Sequence, residues 1–260
     1  MSNGTNKPRI IVWDIETLPN LPAVLHKWIR MRDFMGLKAD ISTMICFGYK
    51  IHGQKKTHCL NVWDYPNWKK NINDDYELVK AAKEVLDSAD AIVTHNGKMF
   101  DYKFLNTRLA FHGLAPLLKI PHIDTCMLAR KRLYLASNRL DDLAKFLKLD
   151  GKMKHDGWDL WIDVHGRSEK AMKTMTEYCK KDVRVLDECF TRLKGRAGDV
   201  IPNHNHWRST QNEVCPACGS ADYIKWGHRI TATNKFPRYR CKSCGTCFRN
   251  DKKDKNPRGY

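Results

Sequence analysis

Two acidic side chains stand one residue apart near the start of the chain, in the stretch IVWDIET. Asp14 and Glu16 follow an apolar run, and successive side chains of a strand point to opposite faces, so both carboxylates should point the same way. Like charges held side by side repel each other. The pair therefore requires a cation nearby.

Two further segments place acidic residues where they could join this pair. Asp101 lies in HNGKMFD, where a glycine turn leads from a strand into a helix. Tyr178 and Asp182 lie four apart in EYCKKDV, which puts both on one helix face. Four carboxylates around one cavity predict Mg²⁺ or Mn²⁺, since both ions prefer oxygen ligands. Two such ions, about 3.5–4 Å apart, can promote phosphodiester hydrolysis.

Cysteines near the other end of the chain form a second set of candidate ligands. The stretches CPACG (215–219) and CKSCG (241–245) each place two cysteines three residues apart. Four thiolates satisfy tetrahedral zinc. The spacing predicts one structural Zn²⁺ held by Cys215, Cys218, Cys241 and Cys244. Iron–sulfur ligation stays open as an alternative, and Cys247 competes as a ligand. The remaining five cysteines are predicted to be small core residues.

The elements that would position these residues alternate in an α/β pattern. Short apolar runs predict strands at 8–14, 43–51, 57–63, 89–97 and 122–125. Helical periodicity predicts helices at 74–88, 100–113, 140–149 and 168–194, with Asp74 as the N-cap of the first. Residues 150–167 are predicted to be a loop and 195–207 a linker.

The composition is basic: 46 Lys and Arg against 29 Asp and Glu give a formal charge of +17 over 260 residues. This excess favours a polyanionic partner such as nucleic acid, although a basic protein without one would have the same composition. We find neither a signal peptide nor an apolar stretch of about 20 residues. The sequence predicts no membrane partner and an intracellular, cytoplasmic protein, nucleoid-associated if bacterial or viral.

Taken in order, WDIET, HNGKMFD and YCKKD resemble the three motifs of the DEDD superfamily of 3′–5′ exonucleases, which includes polymerase proofreading domains. The Tyr-x-x-x-Asp motif resembles the tyrosine subclass, because Glu177 stands where the histidine subclass has His. The resemblance implies a ribonuclease H-like mixed sheet flanked by helices over residues 1–200. A linker at 201–212 and a small zinc ribbon with a basic tail at 213–260 would follow.

The same resemblance implies roles for individual residues. Asp14, Glu16 and Asp182 would hold the first of two Mg²⁺ or Mn²⁺ ions. Asp14 would also contact the second ion, which Asp101 would help to place. Tyr178 would orient the attacking water, because an unperturbed phenol is a poor base at neutral pH. Weaker candidates for contact with the substrate are Thr17, Leu18, Asn96 and Gly97, although the glycine is equally expected from the turn alone.

The leading functional hypothesis is a metal-dependent 3′–5′ exonuclease, with DNA preferred from the resemblance, whose ribbon aids nucleic-acid binding. Aromatic and basic residues interleave in the ribbon segment, as suits single strands. The alternatives are a nucleic-acid-binding regulatory protein on an exonuclease-like shell, an RNA exonuclease, and a ribonuclease H-like endonuclease or strand-transfer enzyme. About 66 residues beyond position 194 cannot house a polymerase, so separate replication, repair or recombination proteins could be partners.

Overall fold

The computed structural model describes residues 8–18, 42–151, 157–196, 214–215, 220–230 and 235–249. The strands are β1 (Ile10–Leu18), β2 (Thr43–Ile51), β3 (Thr57–Asn61), β4 (Ala91–Thr94), β5 (His122–Asp124), β6 (Tyr223–Ile230), β7 (Lys235–Cys241) and β8 (Cys247–Arg249). The helices are α1 (Asn67–Lys70), α2 (Tyr76–Asp87), α3 (Asp101–Phe111), α4 (Thr125–Arg132), α5 (Leu140–Phe146), α6 (Trp158–His165) and α7 (Glu169–Leu193). Short 3₁₀ turns occupy Val62–Asp64 and Lys194–Arg196.

Five strands form one mixed sheet in the order β3-β2-β1-β4-β5. The pairs β1–β2 and β2–β3 are antiparallel, whereas β1–β4 and β4–β5 are parallel. The parallel strands are connected through helices, as a parallel crossover requires. The predicted mixed sheet flanked by helices is confirmed.

The alternating side chains of β1 divide the core into two layers. Ile11, Trp13 and Ile15 are buried among side chains of α2 and α3, such as Leu78 and Leu105. On the opposite face, apolar residues are buried with side chains of α4, α5 and α7; this layer includes Ile10, Val12, Leu128, Leu143, Val183 and Leu186. Asp14 and Glu16 continue this second face toward the end of β1.

The 25-residue helix α7 carries the last sequence motif across the sheet. The hydroxyl of Ser168 caps the helix by accepting a hydrogen bond from the backbone N–H of Ala171. Apolar residues at helical spacing bury one face against β1, β2 and β3. Tyr178 and Asp182 lie on this buried face, with 7% and 1% of their surfaces exposed. The helix predicted for 168–194 is confirmed.

Two local predictions are wrong. Residues 158–165, assigned to a loop, form α6, because Leu160 and Val164 are four apart and both buried. The many Gly, Asp and His residues around them obscured this short apolar face. The N-cap of α2 is Asp75 rather than Asp74, and the Asp75 carboxylate accepts from the guanidinium of buried Arg108. The predicted linker at 201–212 lies outside the described residues.

A separate antiparallel sheet, β6-β7-β8, forms near the C-terminal end. Three aromatic rings pack together on this sheet: the ring centroids of Tyr223, Tyr239 and Phe248 lie within 5.7 Å of one another. This small sheet contacts the end of α7, where a Cβ added to Gly195 would approach the Cys244 carbonyl oxygen to 2.2 Å. Among the described residues, no helix is both long and apolar enough to span a membrane.

Candidate active site

Three carboxylates converge where β1 meets α7. Carboxylate oxygens of Asp14, Glu16 and Asp182 all lie within 4.8 Å of one another. The first two are partly exposed and the third is buried. The sequence motifs at positions 14–16 and 178–182, more than 160 residues apart, therefore form one acidic cluster.

Asp101, at the first turn of α3, completes this cluster. Its Oδ1 accepts a hydrogen bond from the backbone N–H of Ile15 at 3.4 Å, and its carboxyl group hydrogen-bonds with Asp14. Burial raises the pKa of Asp101 to about 6, and the nearby charge of Asp124 acts in the same direction. All four predicted acidic residues thus lie close together. Each further ionised carboxylate there raises the free energy of the folded protein.

The donor set fits a hard divalent cation. The cluster offers only carboxylate oxygens, and these are close enough for one ion to contact three side chains. A bound cation would stabilise the ionised form of the Asp101 carboxyl group, which burial now disfavours. Asp14, Glu16 and Asp182 could hold one Mg²⁺ or Mn²⁺, with Asp101 and Asp14 available to a second.

Tyr178 lies one turn before Asp182 on the buried face of α7. Its ring packs against the edge of Trp161 from α6, with the ring centroids 5.9 Å apart and the planes at 75°. This contact fixes the direction of the phenol, and it involves a helix that the sequence did not reveal. The only signal for α6 was the i, i+4 spacing of its apolar residues.

The turn between β4 and α3 is organised by Asp124, the last residue of β5. Its carboxylate accepts hydrogen bonds from the backbone N–H groups of Asn96 at 2.9 Å and Lys98 at 3.1 Å. The same carboxylate caps α4 by accepting from Cys126 and Met127. Asp124 therefore holds the segment that leads into Asp101.

The predicted substrate contacts are neighbours of the acidic residues along the chain, since Thr17 and Leu18 follow Glu16 and the turn with Asn96 and Gly97 precedes Asp101. Asn96 has a positive φ of 64°, and Gly97 leaves no room for a Cβ, which would approach Thr94 to 2.5 Å. Thr17 is half-buried and Leu18 buried, next to a register shift between Glu16 and Thr17. The glycine thus has a packing reason of its own. Contact of these four residues with a substrate stays a prediction.

Gly48 was missed in the sequence, although a glycine inside an apolar strand signals close approach by another chain segment. It is the register partner of Asp14 on β2. A Cβ at this position would lie 2.7 Å from the Sγ of Cys179 and 2.9 Å from a methyl group of Val183. The missing side chain therefore lets α7 come close enough to bring Asp182 to the strand carboxylates.

We expect Gly48→Ala to lower metal-dependent activity by roughly 10- to 100-fold, because a displacement of about 1 Å at a catalytic group has effects of this size. Overpacking should also lower stability by about 1–3 kcal/mol. The matched control is Gly166→Ala, since that glycine has a negative φ and only ordinary contacts at 3.5 Å. Initial rates and urea unfolding test both effects, and a fully active, equally stable Gly48→Ala protein would contradict them.

Three of the four predicted zinc ligands also meet. Sulfur atoms of Cys215, Cys241 and Cys244 lie within 4.8 Å of one another, and Cys218 lies outside the described residues. The backbone of the CKSCG stretch (241–245) folds back on itself, with the N–H of Gly245 donating to the Cys241 carbonyl at 3.0 Å. The side chain of Cys247 is exposed and does not belong to this group. Three clustered thiols suit zinc chemistry.

The mixed sheet with its carboxylate cluster defines a ribonuclease H-like domain. A family described as RNase_H superfamily (RNase_H_2) matches residues 34–194, which is 161 of the 260 residues. The chain belongs to this superfamily. The matched range includes Asp101, Tyr178 and Asp182 and begins after β1.

A curated relative agrees with this assignment over a shorter stretch. Eighty residues, 31% of this chain, are 39% identical to part of the protein named DNA polymerase III PolC-type in Ureaplasma parvum serovar 3. The match covers 5% of that protein. The superfamily and the acidic cluster together indicate a nuclease that acts on nucleic acid.

Proposed function

We propose that this chain is a 3′–5′ exonuclease of the tyrosine subclass that uses two Mg²⁺ or Mn²⁺ ions to hydrolyse DNA. The observation that carries the proposal is the convergence of Asp14, Glu16 and Asp182, with Tyr178 on the same face of α7. The resemblance to proofreading exonucleases and the partial identity with a PolC-type polymerase support the direction of cleavage and the preference for DNA.

The residues divide the chemistry between them. Bound Mg²⁺ or Mn²⁺ would supply a nucleophilic water near neutral pH and stabilise charge on the leaving oxygen. Asp14, Glu16 and Asp182 would hold the cations, and Asp101 would add its charge from the first turn of α3. Tyr178 orients the water through its hydroxyl, because its ring is fixed against Trp161.

A cleft at the β4–α3 turn offers a path for the anionic strand. It encloses about 680 Å³ and is lined by Asn96, the residue of the β4–α3 turn that we expect to contact the substrate. Arg130 and Arg139 line the same cleft and are exposed. Phosphate groups of a nucleic acid would pair with such guanidinium groups, which bind phosphate oxygens in a bidentate manner.

We further propose that the small C-terminal sheet is a zinc ribbon that binds the nucleic acid. Cys218 would complete the set of thiolates with Cys215, Cys241 and Cys244. Trp226 is 43% exposed, and the guanidinium of Arg240 lies 5.1 Å from its ring centre. This pair forms a flat cationic surface of the kind on which bases of single strands stack.

The proposed reaction is tested with four substrates in parallel: 5′-labelled single-stranded DNA, duplex DNA, RNA and circular single-stranded DNA. We expect Mg²⁺ or Mn²⁺ to support stepwise shortening of linear DNA from its 3′ end with release of 5′-mononucleotides, and EDTA to stop it. Circular DNA should stay intact. Cutting of the circle would favour an endonuclease, faster loss of RNA an RNA exonuclease, and tight binding without cleavage a regulatory protein.

We expect Trp226→Ala and Arg240→Ala to raise the KM for single-stranded DNA several-fold while changing kcat little, because both act on binding. Loss of one base stack costs on the order of 1–3 kcal/mol. Arg240→Ala should also flatten the salt dependence of KM, since one fewer counterion is released.

Phe146→Ala is the control for the ribbon variants, because Phe146 is 56% exposed on α5 and outside the ribbon. Rates measured at two salt concentrations with zinc-loaded protein provide the comparison. Equal KM values for the Trp226→Ala protein and the unmodified protein would argue that the ribbon binds another protein or only braces α7.

A further inference from the structure

Three cysteines that the sequence suggested were separate core residues meet between the sheet and α7. The Sγ atoms of Cys46 on β2 and Cys59 on β3 lie 3.4 and 3.2 Å from the side-chain oxygen of Asn61. The Sγ of Cys179 on α7 sits over Gly48, which is the register partner of Cys59. The three cysteines are free in the structure.

The three thiols differ in access and in ionisation. Cys59 is partly exposed, whereas Cys46 and Cys179 are buried. Hydrogen bonds from Cys179 and Cys46 lower the pKa of Cys59 to about 5, and the charge of Lys180 adds to the effect. Burial raises the pKa of Cys46, and hydrogen bonds with the other two thiols raise that of Cys179. Cys59 is thus both the most exposed and the most readily ionised of the three thiols, and it faces two buried ones, the arrangement of a reactive cysteine with resolving partners.

The geometry disfavours a metal as the occupant of this thiol cluster. Among the described residues, potential ligand atoms gather within 4.8 Å of one another in two groups, the acidic cluster and the ribbon cysteines. The three thiols do not form such a group. The Asn61 oxygen also accepts a hydrogen bond from Thr176 at 3.1 Å, so it remains satisfied when Cys59 ionises.

We propose that Cys59 and Cys179 form a reversible disulfide when the protein meets a hydroperoxide, and that this bond turns off the nuclease. In the first step the Cys59 thiolate attacks the peroxide oxygen, the O–O bond breaks and an alcohol or water leaves. The sulfenic acid of Cys59 then condenses with the Cys179 thiol, releasing water. The two sulfurs together lose two electrons, and the hydroperoxide gains them.

The disulfide would act on the active site through α7. Its sulfurs must approach to about 2.05 Å, closer than two thiols in contact. Cys179 already lies against Gly48, which is directly opposite Cys59, so the Cys179 sulfur has to shift across the sheet toward β3 rather than closer to it. Tyr178 precedes Cys179 and Asp182 lies one turn later, and a displacement of about 1 Å can cost roughly 100-fold in rate. The expected loss of activity rests on the proposed nuclease function, whereas formation of the disulfide is independent of that function.

The experiment treats reduced, zinc-loaded full-length protein with a small excess of hydrogen peroxide at neutral pH. Peptide mapping without reductant should recover a Cys59–Cys179 cross-link. Exonuclease activity should fall roughly 10- to 100-fold and return with dithiothreitol. Zinc release is followed in the same sample with a chromogenic chelator, because the ribbon thiols are a second target of oxidation. The loss of activity should precede the release of zinc.

Cysteine variants distinguish the proposed Cys59–Cys179 disulfide from oxidation of other residues. Cys59→Ser and Cys179→Ala should each cleave at the normal rate and resist peroxide. Cys189→Ser should lose activity like the unmodified protein, because Cys189 is a buried thiol elsewhere on α7 whose pKa burial raises to about 12.

A Cys59→Ser protein that peroxide inactivates as before would overturn the switch. So would a cross-link confined to ribbon cysteines, or a second tightly bound zinc that is lost in Cys59→Ser. Because mapping needs no nuclease activity, an inactive protein that still forms the cross-link would count against the proposed function and not against the disulfide.

Discussion

Asp182→Asn and Asp14→Asn should each lower the rate of Mg²⁺-dependent cleavage by about 1,000-fold or more. Each substitution removes one negative charge from a cluster whose oxygens lie within 4.8 Å of one another. A 1,000-fold lower rate corresponds to the loss of about 4 kcal/mol of transition-state stabilisation by the metal. Single-turnover rates on 5′-labelled DNA measure it directly.

The same variants should show that the loss of activity is not a loss of folding. Without metal, Asp182→Asn should melt at the same temperature as the unmodified protein or higher, because it relieves repulsion among buried carboxylates. Saturating Mg²⁺ should raise the melting temperature of the unmodified protein more than that of the variant, since binding stabilises the folded state.

Glu188→Gln is the matched control for the carboxylate variants, because Glu188 is exposed and lies on the same helix. It should retain both activity and the response to Mg²⁺. An Asp182→Asn protein that cleaves DNA at the normal rate would remove Asp182 from the metal site and with it the two-metal proposal.

The second large effect is expected for Tyr178→Phe. The substitution removes only the hydroxyl and keeps the ring that packs against Trp161. Loss of a group that positions or relays a proton commonly costs on the order of 10²–10⁴-fold. We expect kcat to fall within this range while affinity for Mn²⁺ stays unchanged, because the phenol is not among the metal ligands that we propose.

Tyr49→Phe is the control for this substitution. Tyr49 pairs with Trp13 and stacks on Phe47, on the sheet face away from Asp14. The variant should therefore cleave normally. Rates and calorimetric Mn²⁺ titrations of the two proteins give the test; normal turnover by Tyr178→Phe would make Tyr178 a packing residue and would argue against the tyrosine subclass.

The contact between the small C-terminal sheet and α7 decides how the proposed role of this sheet in DNA binding should be tested. The packing of Cys244 against Gly195, and the shared cluster that includes Leu193, Cys215 and Cys241, tie this small sheet to the end of α7. Removing it would expose apolar surface on the helix that carries Tyr178 and Asp182. Point variants on the exposed face of this sheet therefore separate an effect on DNA binding from an effect on stability better than a truncation does.

Local patterns in the sequence determined most of the elements and the acidic residues. The strand predicted at 43–51 coincides with β2, and the helix predicted at 168–194 differs from α7 by one residue at each end. The strand is found because its short apolar run is buried on both faces, and the helix because burial of one face gives its sequence a helical period. Asp14 and Glu16 were predicted to point the same way for the same reason, since alternation in a strand is a local property.

What the tertiary structure alone decided is which distant residues touch. Gly48 opposes Asp14 only because of the β1–β2 register, and the approach of α7 to that glycine is set by packing. Cys46, Cys59 and Cys179 come from three elements, so no spacing along the chain could show that their thiols meet. The helix α6 was missed because Gly, Asp and His residues surround its short apolar face, which is buried by packing against α7. Which side chains touch across a sheet–helix interface depends on how the core packs, and local sequence patterns do not predict it.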